Sequence, residues 1–217
     1  MKLTAETINI LKNYATINQN IQFKEGNTLS TISPQKNILT KAEISENIPK
    51  TFAIYDLNRL LGALSRLNDP DIVIGKEQLT VDGLKYTYAE TAMLVLPPEK
   101  KLDVPNPEIK FEMSKSVFEA CIGMAQVLSL PELVVEGDGT KINLVAIDTN
   151  LPSSDVYREE VGTTDKEFKM VFKIENMKLL SGDYRVEISS KGIGFFVHKT
   201  SKIEYWIATE QNSNYNN

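Results

Sequence analysis

The sequence of 217 residues is poor in the side chains that build redox and metal sites. It contains one cysteine, Cys121, and one histidine, His198. A single cysteine cannot close an internal disulfide, and one cysteine with one histidine cannot assemble a Cys/His metal cluster. No apolar run reaches the roughly 18 residues of a membrane-spanning helix, and the start, MKLTAETINI, has no apolar segment typical of a secretion signal. We therefore expect neither a disulfide scaffold, a zinc-cluster protein nor an α-helical membrane protein.

Catalytic motifs are missing as well. The sequence has neither the GxxxxGK[ST] phosphate loop nor the GxSxG nucleophile turn. The segment GDGTK at 137–141 lies between two strand patterns, where a hairpin turn is expected. Two carboxylate pairs, at 69/71 and 159/160, lie in loops or strand ends, and nothing in the sequence brings them to one magnesium site. We therefore predict that the protein is not an enzyme and needs no cofactor, and that His198 is an ordinary strand or loop residue.

The overall charge is mildly acidic. The formal net charge is −5, with 41 % hydrophobic and 24 % charged residues, which is ordinary for a globular protein. Such a balance argues against a protein that coats nucleic acid with its whole surface. It leaves open one basic face within an acidic whole. Cys121 lies in an apolar stretch, so we expect it to be a buried small hydrophobe in a reducing compartment.

The chain divides into two halves with the same order of predicted elements. Helices are predicted over 4–14, 56–67, 114–128 and 173–181, and short β-branched and aromatic segments, including MLVL at 93–96, predict strands between them. Four prolines and several charges in PPEKKLDVPNP, about 97–107, predict an extended linker. We therefore predict an α+β protein with domains at 1–103 and 104–217, each an antiparallel sheet system with two helices on one face.

The helix over 56–67 has two contrasting faces. Asp56 is its predicted N-cap, and at about 100° per residue four leucines form one stripe. These helix anchors are Leu57, Leu60, Leu61 and Leu64. Arg59 and Arg66 fall on the opposite side, with Gly62 and Ala63 between them. The leucines should pack on a sheet and leave a small, flat, cationic face, for which an ordinary solvated helix surface is the alternative interpretation.

The other helices also place cations away from their apolar sides. The candidates are Lys12 in the first helix, Lys115 in the third, and Lys173 and Lys178 in the fourth. For the first helix, capped by Thr4, the predicted apolar stripe is Ala5, Ile8, Leu11 and Ala15, and for the third it is Val117, Cys121, Met124 and Leu128. Glu119 and Gln126 share the outward side of the third helix, so that side is only weakly basic. If all helices lie on one side of the sheets, that side attracts phosphate.

Three segments carry a resemblance to a known family. They are MKLTAETINILKNYATIN, AIYDLNRLLGALSRLND and NMKLLSGDYRV. In order and along the whole chain, the sequence resembles the sliding clamp of T4-like bacteriophages, the DNA polymerase processivity factor. The match is close in the first domain; in the second it depends on length, element order and the NMK…GDYR segment.

The resemblance implies a DNA-clamp fold and a closed ring of six clamp domains. Two domains per chain then imply a head-to-tail homotrimer, closed by strand pairing between neighbours, with helices around the hole and sheets outside. In that arrangement the residues facing duplex DNA would be Lys12, Arg59, Arg66, Lys115, Lys173 and Lys178. Basic residues are sparser on the third helix than the family pattern leads one to expect, so the second domain should attract DNA less.

The resemblance also implies partners. They are duplex DNA bound without sequence preference, the replicative DNA polymerase, an ATP-dependent clamp loader and factors of late transcription, in the cytoplasm of an infected bacterial host. Polymerase and loader would insert peptide tails into a hydrophobic patch; no residues are assigned to that pocket, and 94–102 is the only suggested region. Two alternatives stay open: a ring-forming β-rich phage structural protein, and a nuclease-like enzyme that uses loop carboxylates.

Overall fold

The computed structural model describes residues 1–99, 102–104 and 106–216. It separates into two compact units, Met1–Lys100 and Lys101–Asn217. Lys100, Lys101 and Pro105 of the predicted linker lie outside the described residues.

Unit 1 begins with a helix and continues through short antiparallel strands. Its elements are α1 (Ala5–Ile17), β1 (Ile21–Phe23), β2 (Gly26–Ile32), β3 (Ile38–Ile48), β4 (Phe52–Ile54), α2 (Leu57–Leu64), β5 (Val73–Ile74), β6 (Gln78–Val81), β7 (Leu84–Thr87) and a 3₁₀ turn at Thr91–Met93. Strand β1 pairs with β4, β2 with β3, and β5, β6 and β7 form a meander. This is the predicted order of helix, four strands and helix, followed by three of the four strands predicted after it.

The strand predicted at 93–96 is wrong. The N–H groups of Met93 and Leu94 donate to the carbonyls of Glu90 and Thr91, at 3.0 and 3.1 Å, and so close a 3₁₀ turn. The Val95 carbonyl accepts a hydrogen bond from the Asn18 side chain at 3.4 Å. The segment 93–96 has the composition of a strand. Its N–H groups at 93 and 94 and its carbonyl at 95, however, form turn and side-chain hydrogen bonds, so they are not available for pairing with a neighbouring strand.

Helix α1 begins as predicted and buries Leu11 and Ala15 of the predicted stripe, but not Ala5 and Ile8. The Thr7 N–H donates to Thr4 Oγ1 at 3.2 Å, which makes Thr4 the N-cap. The buried positions are Thr7, Ile10, Leu11, Tyr14, Ala15 and Ile17, whereas Ala5 is exposed and Ile8 half-buried. The prediction gave too little weight to Tyr14, whose ring is wholly buried and turns the helix toward the strands.

Unit 2 contains one α-helix and nine strands within its described residues. Its elements are β8 (Ile109–Met113), α3 (Lys115–Val127), β9 (Glu132–Asp138), β10 (Lys141–Ile147), β11 (Tyr157–Thr163), β12 (Glu167–Lys173), a 3₁₀ turn at Ile174–Asn176, β13 (Tyr184–Ser189), β14 (Ile193–His198), β15 (Ile203–Ala208) and β16 (Asn214–Tyr215). The antiparallel orders are β11-β10-β9-β12-β16 and β15-β14-β13-β8. Strand β8 was not predicted from the sequence, because it follows the linker prolines directly.

The fourth helix predicted over 173–181 is wrong, so the described residues of unit 2 do not contain the second α-helix expected of each domain. Only Ile174–Asn176 form a single 3₁₀ turn, and no side chain caps it. The Ile174 N–H donates to the Pro131 carbonyl at 2.9 Å, and the Leu180 N–H donates to the Tyr205 hydroxyl at 3.1 Å. Ile174 would lie in the first turn, whose N–H groups have no partner within a helix, so its bond alone does not exclude one. The Leu180 N–H would have to donate to the Asn176 carbonyl in a helix over 173–181, and its bond to Tyr205 takes that donor away.

Helix α3 turns a different face inward from the one predicted. Its buried residues are Phe118, Cys121 and Ala125, and Ser114 caps its start. Cys121 is the one residue of the predicted stripe that is buried, whereas Met124 and Leu128 of that stripe are exposed, as is Val127. Because apolar residues surround most of this helix, their spacing alone did not define which side faces the sheet.

Candidate nucleic-acid interface

The start of helix α2 is fixed by bonds from three neighbours. Asp56 Oδ1 accepts the Arg59 N–H at 2.9 Å and so caps the helix. The Tyr86 hydroxyl donates to the Asp56 carbonyl at 2.9 Å, and the Leu57 N–H donates to the Gln19 carbonyl at 2.7 Å. Burial first, and then the nearby Asp56 carboxylate, raise the pKa of Tyr86, so this hydroxyl keeps its proton and remains a donor. The helix is therefore held in one orientation from its first turn.

The two faces of α2 differ as sharply as the sequence suggests. The residues turned inward are Leu57, Leu60, Leu61 and Leu64, none of which is more than 7 % exposed. On the other side Arg59 and Gly62 are exposed and Ala63 is half-buried. The helix ends at Leu64, earlier than predicted, but the Arg66 N–H donates to the Ala63 carbonyl at 3.1 Å. This turn continues the helical path, and Arg66 is exposed.

Helix α1 adds a third cation beside α2. The two helices pack against each other, and Lys12 on α1 and Ser65 after α2 line a common cavity. Lys12, Arg59 and Arg66 are exposed, and within the described part of the chain none of them forms an ion pair. The helix pair of unit 1 therefore presents three unpaired positive charges.

The predicted cations of unit 2 have a different environment. Lys115 Nζ lies 3.9 Å from the Glu119 carboxylate, and the backbone N–H of Lys115 donates to Asp183 Oδ1 at 2.7 Å. Lys173 ends β12 and lies 3.8 Å from Glu210. Lys178 is half-buried outside any helix. The predicted cations of unit 2 are therefore less available than those of unit 1. Lys173 and Lys178 were predicted to lie on a helix, and neither does.

A groove beside Arg59 was not predicted from the sequence. It is a cavity of about 390 Å³ whose lining includes Tyr55, Arg59, Lys85, Tyr86 and Tyr88. The alternation in LKYTYAE predicts a strand, but only the fold brings Lys85 next to the arginine of α2. A fourth cation is thereby added to this side of unit 1.

The carboxylates of the two pairs, 69/71 and 159/160, form ion pairs and hydrogen bonds within the fold. Asp69 binds Lys2, Asp71 binds the N-terminal ammonium, and Glu160 binds Lys141 at 2.6 Å. The hydroxyl of Tyr157 donates to Glu159 at 2.5 Å. Among the described residues no group of three or more His, Cys, Asp or Glu side chains could hold a metal ion.

The GDGTK segment forms the hairpin turn between β9 and β10. Asp138 Oδ1 accepts the N–H groups of Thr140 and Lys141 at 2.9 and 2.7 Å, and the Thr140 hydroxyl at 2.7 Å. These bonds, led by the one from the Lys141 N–H, lower the pKa of Asp138 to about 2. Gly139 has a φ of +86°, a conformation that glycine adopts without strain. The N–H groups of this turn therefore donate to its own carboxylate and are not free to bind a phosphate.

Neither Cys121 nor His198 has the surroundings of a catalytic residue. Cys121 is fully buried, and burial raises the pKa of its thiol to about 12. His198 Nδ1 accepts the N–H groups of Ser201 and Thr200 at 3.0 and 3.2 Å, while Nε2 lies 3.3 Å from the Ser181 carbonyl. Both side chains serve the core and its loops.

Comparison with known proteins matches both halves of the chain. A family described as DNA polymerase processivity factor matches residues 4–93, and one described as gp45 sliding clamp, C terminal, matches residues 124–211. The sliding clamp of Vibrio phage KVP40 is 30 % identical over 222 residues, which cover 97 % of this chain and 99 % of the relative. The chain belongs to the sliding-clamp family. The clamp of Enterobacteria phage T4 is also 30 % identical, over 88 % of this chain and 89 % of the relative.

The fold gives the same answer as the sequence comparison. Proliferating cellular nuclear antigen from Entamoeba histolytica superposes with a TM-score of 0.70 at 9 % identity, and the match covers 94 % of each chain. The α+β clamp fold is therefore confirmed, and the chain is a phage DNA polymerase processivity factor of a family that is not catalytic. The structural-protein and nuclease alternatives are not favoured. No helix in the described ranges has the length and apolarity to cross a bilayer.

Proposed function

We propose that the chain closes as a head-to-tail homotrimer around duplex DNA and tethers the replicative polymerase. Such a ring need not grip DNA tightly, because a closed ring cannot leave a circular duplex without opening. Weak attraction to phosphates, which carries no sequence information, then permits sliding. The mechanism requires cations on the inner wall and leaves the outer wall acidic.

The observation that carries this proposal is the unpaired cationic face of the unit 1 helices. Arg59 and Arg66 are exposed on the side of α2 opposite its buried leucines, with the small residues Gly62 and Ala63 between them, and Lys12 is exposed on the neighbouring helix α1. A flat surface with separated positive charges can follow a phosphate backbone without inserting into a groove. We assign these three residues to the DNA-facing wall, with Lys115, Lys173 and Lys178 as weaker contributors.

Two strand edges support ring closure. In the described residues β7 bonds only to β6, and β11 bonds only to β10, so each has an open edge. An open strand edge readily pairs with a strand of another chain. Beside β11, the exposed Met124, Val127 and Leu128 of α3 form an apolar ridge. Pairing of β11 with β7 of the next chain would satisfy both edges and cover this ridge.

The remaining partners follow from the family. We propose that an ATP-dependent loader opens the ring, that polymerase and loader bind through peptide tails, and that late-transcription factors use the same clamp. The surroundings of 94–102 remain our suggestion for the peptide patch; Met93 beside it is exposed, and residues 100 and 101 lie outside the described part. The setting would be the cytoplasm of an infected bacterium, with domains at 1–103 and 104–217.

Native mass and DNA topology test the proposal together. We expect a mass of three chains by native mass spectrometry. After loading onto nicked plasmid by a purified phage clamp loader with ATP, we expect the protein to remain on the circle at a salt concentration that strips ordinary DNA binders. Linearising the plasmid should release it. A monomer, or equal retention on circles and linear DNA, would contradict a ring.

A further inference from the structure

A cavity lies between the two helices of unit 1. Its volume is about 290 Å³, and its floor is apolar, formed chiefly by Leu3, Ile8, Leu61 and Leu64. This size is at the lower limit of pockets that hold whole small molecules, which run from about 300 to 1,000 Å³. One or two large apolar side chains would fill it.

The rim of this cavity is positively charged. Lys2 and Lys12 line it, and Asp69 is the one carboxylate among its lining residues. Asp69 is neutralised by its ion pair with Lys2. Lys12 forms no ion pair within the part of the chain that the structure describes. An apolar floor beside an unpaired lysine is complementary to an apolar side chain with carboxylates next to it.

We propose that this cavity, the α1–α2 pocket, is a docking site for an acidic segment of a partner protein that inserts one or two large apolar side chains. Duplex DNA cannot fill the apolar floor of the pocket, because its bases are stacked within the double helix. Only its phosphates would reach the rim. An apolar side chain fills the floor while neighbouring carboxylates pair with Lys12. The segment is anchored by burial and oriented by charge.

Docking at the α1–α2 pocket excludes DNA from the same surface. Lys12 belongs to the proposed DNA-facing wall, so one ammonium group cannot serve a carboxylate and a phosphate in full at the same time. This exclusion rests on the proposed function; the docking itself does not. An acidic partner would therefore occupy the clamp before DNA enters and leave when DNA arrives.

Fluorescence anisotropy with a defined peptide tests the docking. The probe is a fluorescein-labelled peptide in which Leu-Phe is flanked on both sides by three aspartates. We expect saturable binding to the intact protein with a Kd on the order of 100 μM. Lys12→Glu should weaken peptide binding about fivefold or more. Ile8→Trp, which fills part of the pocket with an indole ring, should weaken peptide binding to a similar extent.

Matched controls separate docking from general charge attraction. Lys41→Glu reverses an exposed lysine on β3 and should change the Kd less than about twofold. A peptide with serines in place of Leu-Phe should lose saturable binding, and one with asparagines in place of the aspartates should bind more weakly. Equal effects of Lys12→Glu and Lys41→Glu, equal binding of the serine peptide, or no saturation with the parent peptide would overturn the proposal.

A competition arm tests the exclusion separately. Closing the ring on nicked plasmid should raise the Kd of the peptide. Peptide binding without retention on circles would refute the ring and leave the docking site intact. Retention on circles with no displacement of bound peptide would refute the exclusion alone.

Discussion

At the scale of single residues, the side chains at 59 and 66 decide whether α2 faces DNA. Arg59→Glu with Arg66→Glu should leave the proposed trimer intact, because both side chains are exposed and unpaired among the described residues. It should shorten primer extension by the polymerase and reduce the salt dependence of DNA binding, by a slope of about 1 for each lost phosphate contact. Processivity is measured on a primed single-stranded circle.

A double variant on the sheets is the control for this charge change. Lys41→Glu with Lys110→Glu reverses two exposed lysines on β3 and β8. It alters the net charge by the same amount but leaves the helices untouched. If both double variants lose processivity equally, net charge and not the α2 face is responsible.

Cys121 should be inert in the folded protein. Its thiol is fully buried, and with a pKa of about 12 it stays protonated near neutral pH, whereas thiolate is the reactive form. Iodoacetamide should label it slowly in buffer and at an ordinary rate in guanidinium, as followed by mass spectrometry. Rapid labelling of the native protein would show that α3 opens easily.

Asp138 should make stability depend on pH in the acid range. Its pKa falls from 3.8 in the unfolded chain to about 2 in the fold, so its contribution is full above about pH 4 and disappears as the pH falls through 2. Asp138→Ala should lower the melting temperature at neutral pH, and the gap from the original protein should close toward pH 2. Asp138→Asn keeps an oxygen acceptor and should lie between them in circular dichroism melts.

At the scale of elements, two glycines should respond oppositely to alanine. Gly62 lies inside α2 with nothing within 4 Å of an added Cβ, so Gly62→Ala should stabilise unit 1 by about 0.5–1 kcal/mol. At Gly182 an added Cβ would lie 2.0 Å from Nε2 of His198, whose ring is held by two backbone donors. Gly182→Ala should therefore destabilise the protein by about 1–3 kcal/mol.

Urea denaturation measures both changes. The original protein serves as the reference, and Gly123→Ala provides a second helical glycine with open space around it. Stabilisation by Gly182→Ala would show that the His198 ring can move aside.

Helix α2 could be predicted from the sequence because local signals agree there. A capping aspartate, four leucines in one stripe and a stop at Asn68-Asp69-Pro70 all indicate the same helix. Helix α3 lacks such agreement, since apolar residues lie on several of its sides. The segment after β12 has two buried side chains three residues apart, Met177 and Leu180, which imitate a helical stripe. Its backbone donors, however, find partners that are distant in sequence.

The candidate site could be predicted only where it depends on local helical spacing. The outward cations of α1 and α2 follow from helical spacing, which is a local property. Lys85 and the α1–α2 pocket depend on which elements become neighbours, so no single segment reveals them. The neutralisation of Lys173 by Glu210 is likewise a contact between residues far apart in the chain.

At the scale of the whole molecule, the apolar ridge of α3 should be needed for assembly. Val127 is 79 % exposed, and a charge there would be buried if neighbouring chains cover the ridge. Val127→Asp should shift the proposed trimer toward monomer at micromolar concentrations, as measured by analytical ultracentrifugation. Met93→Asp, at another exposed apolar position, is the control and should leave the mass unchanged. An unaltered trimer in Val127→Asp would place the subunit contact elsewhere.

The unequal pairing of the lysines and arginines in the two units has a consequence for how a duplex would travel. Each chain would contribute one sector in which Lys12, Arg59 and Arg66 have no ion-pair partner among the described residues, and one in which Lys115 and Lys173 lie 3.9 and 3.8 Å from carboxylates of the same chain. Around a threefold ring the electrostatic potential would then rise and fall three times per circuit. A double helix, whose phosphates wind around its axis, would sit off-centre and tilted against one attractive sector, and would pass from sector to sector by rotating as it advances.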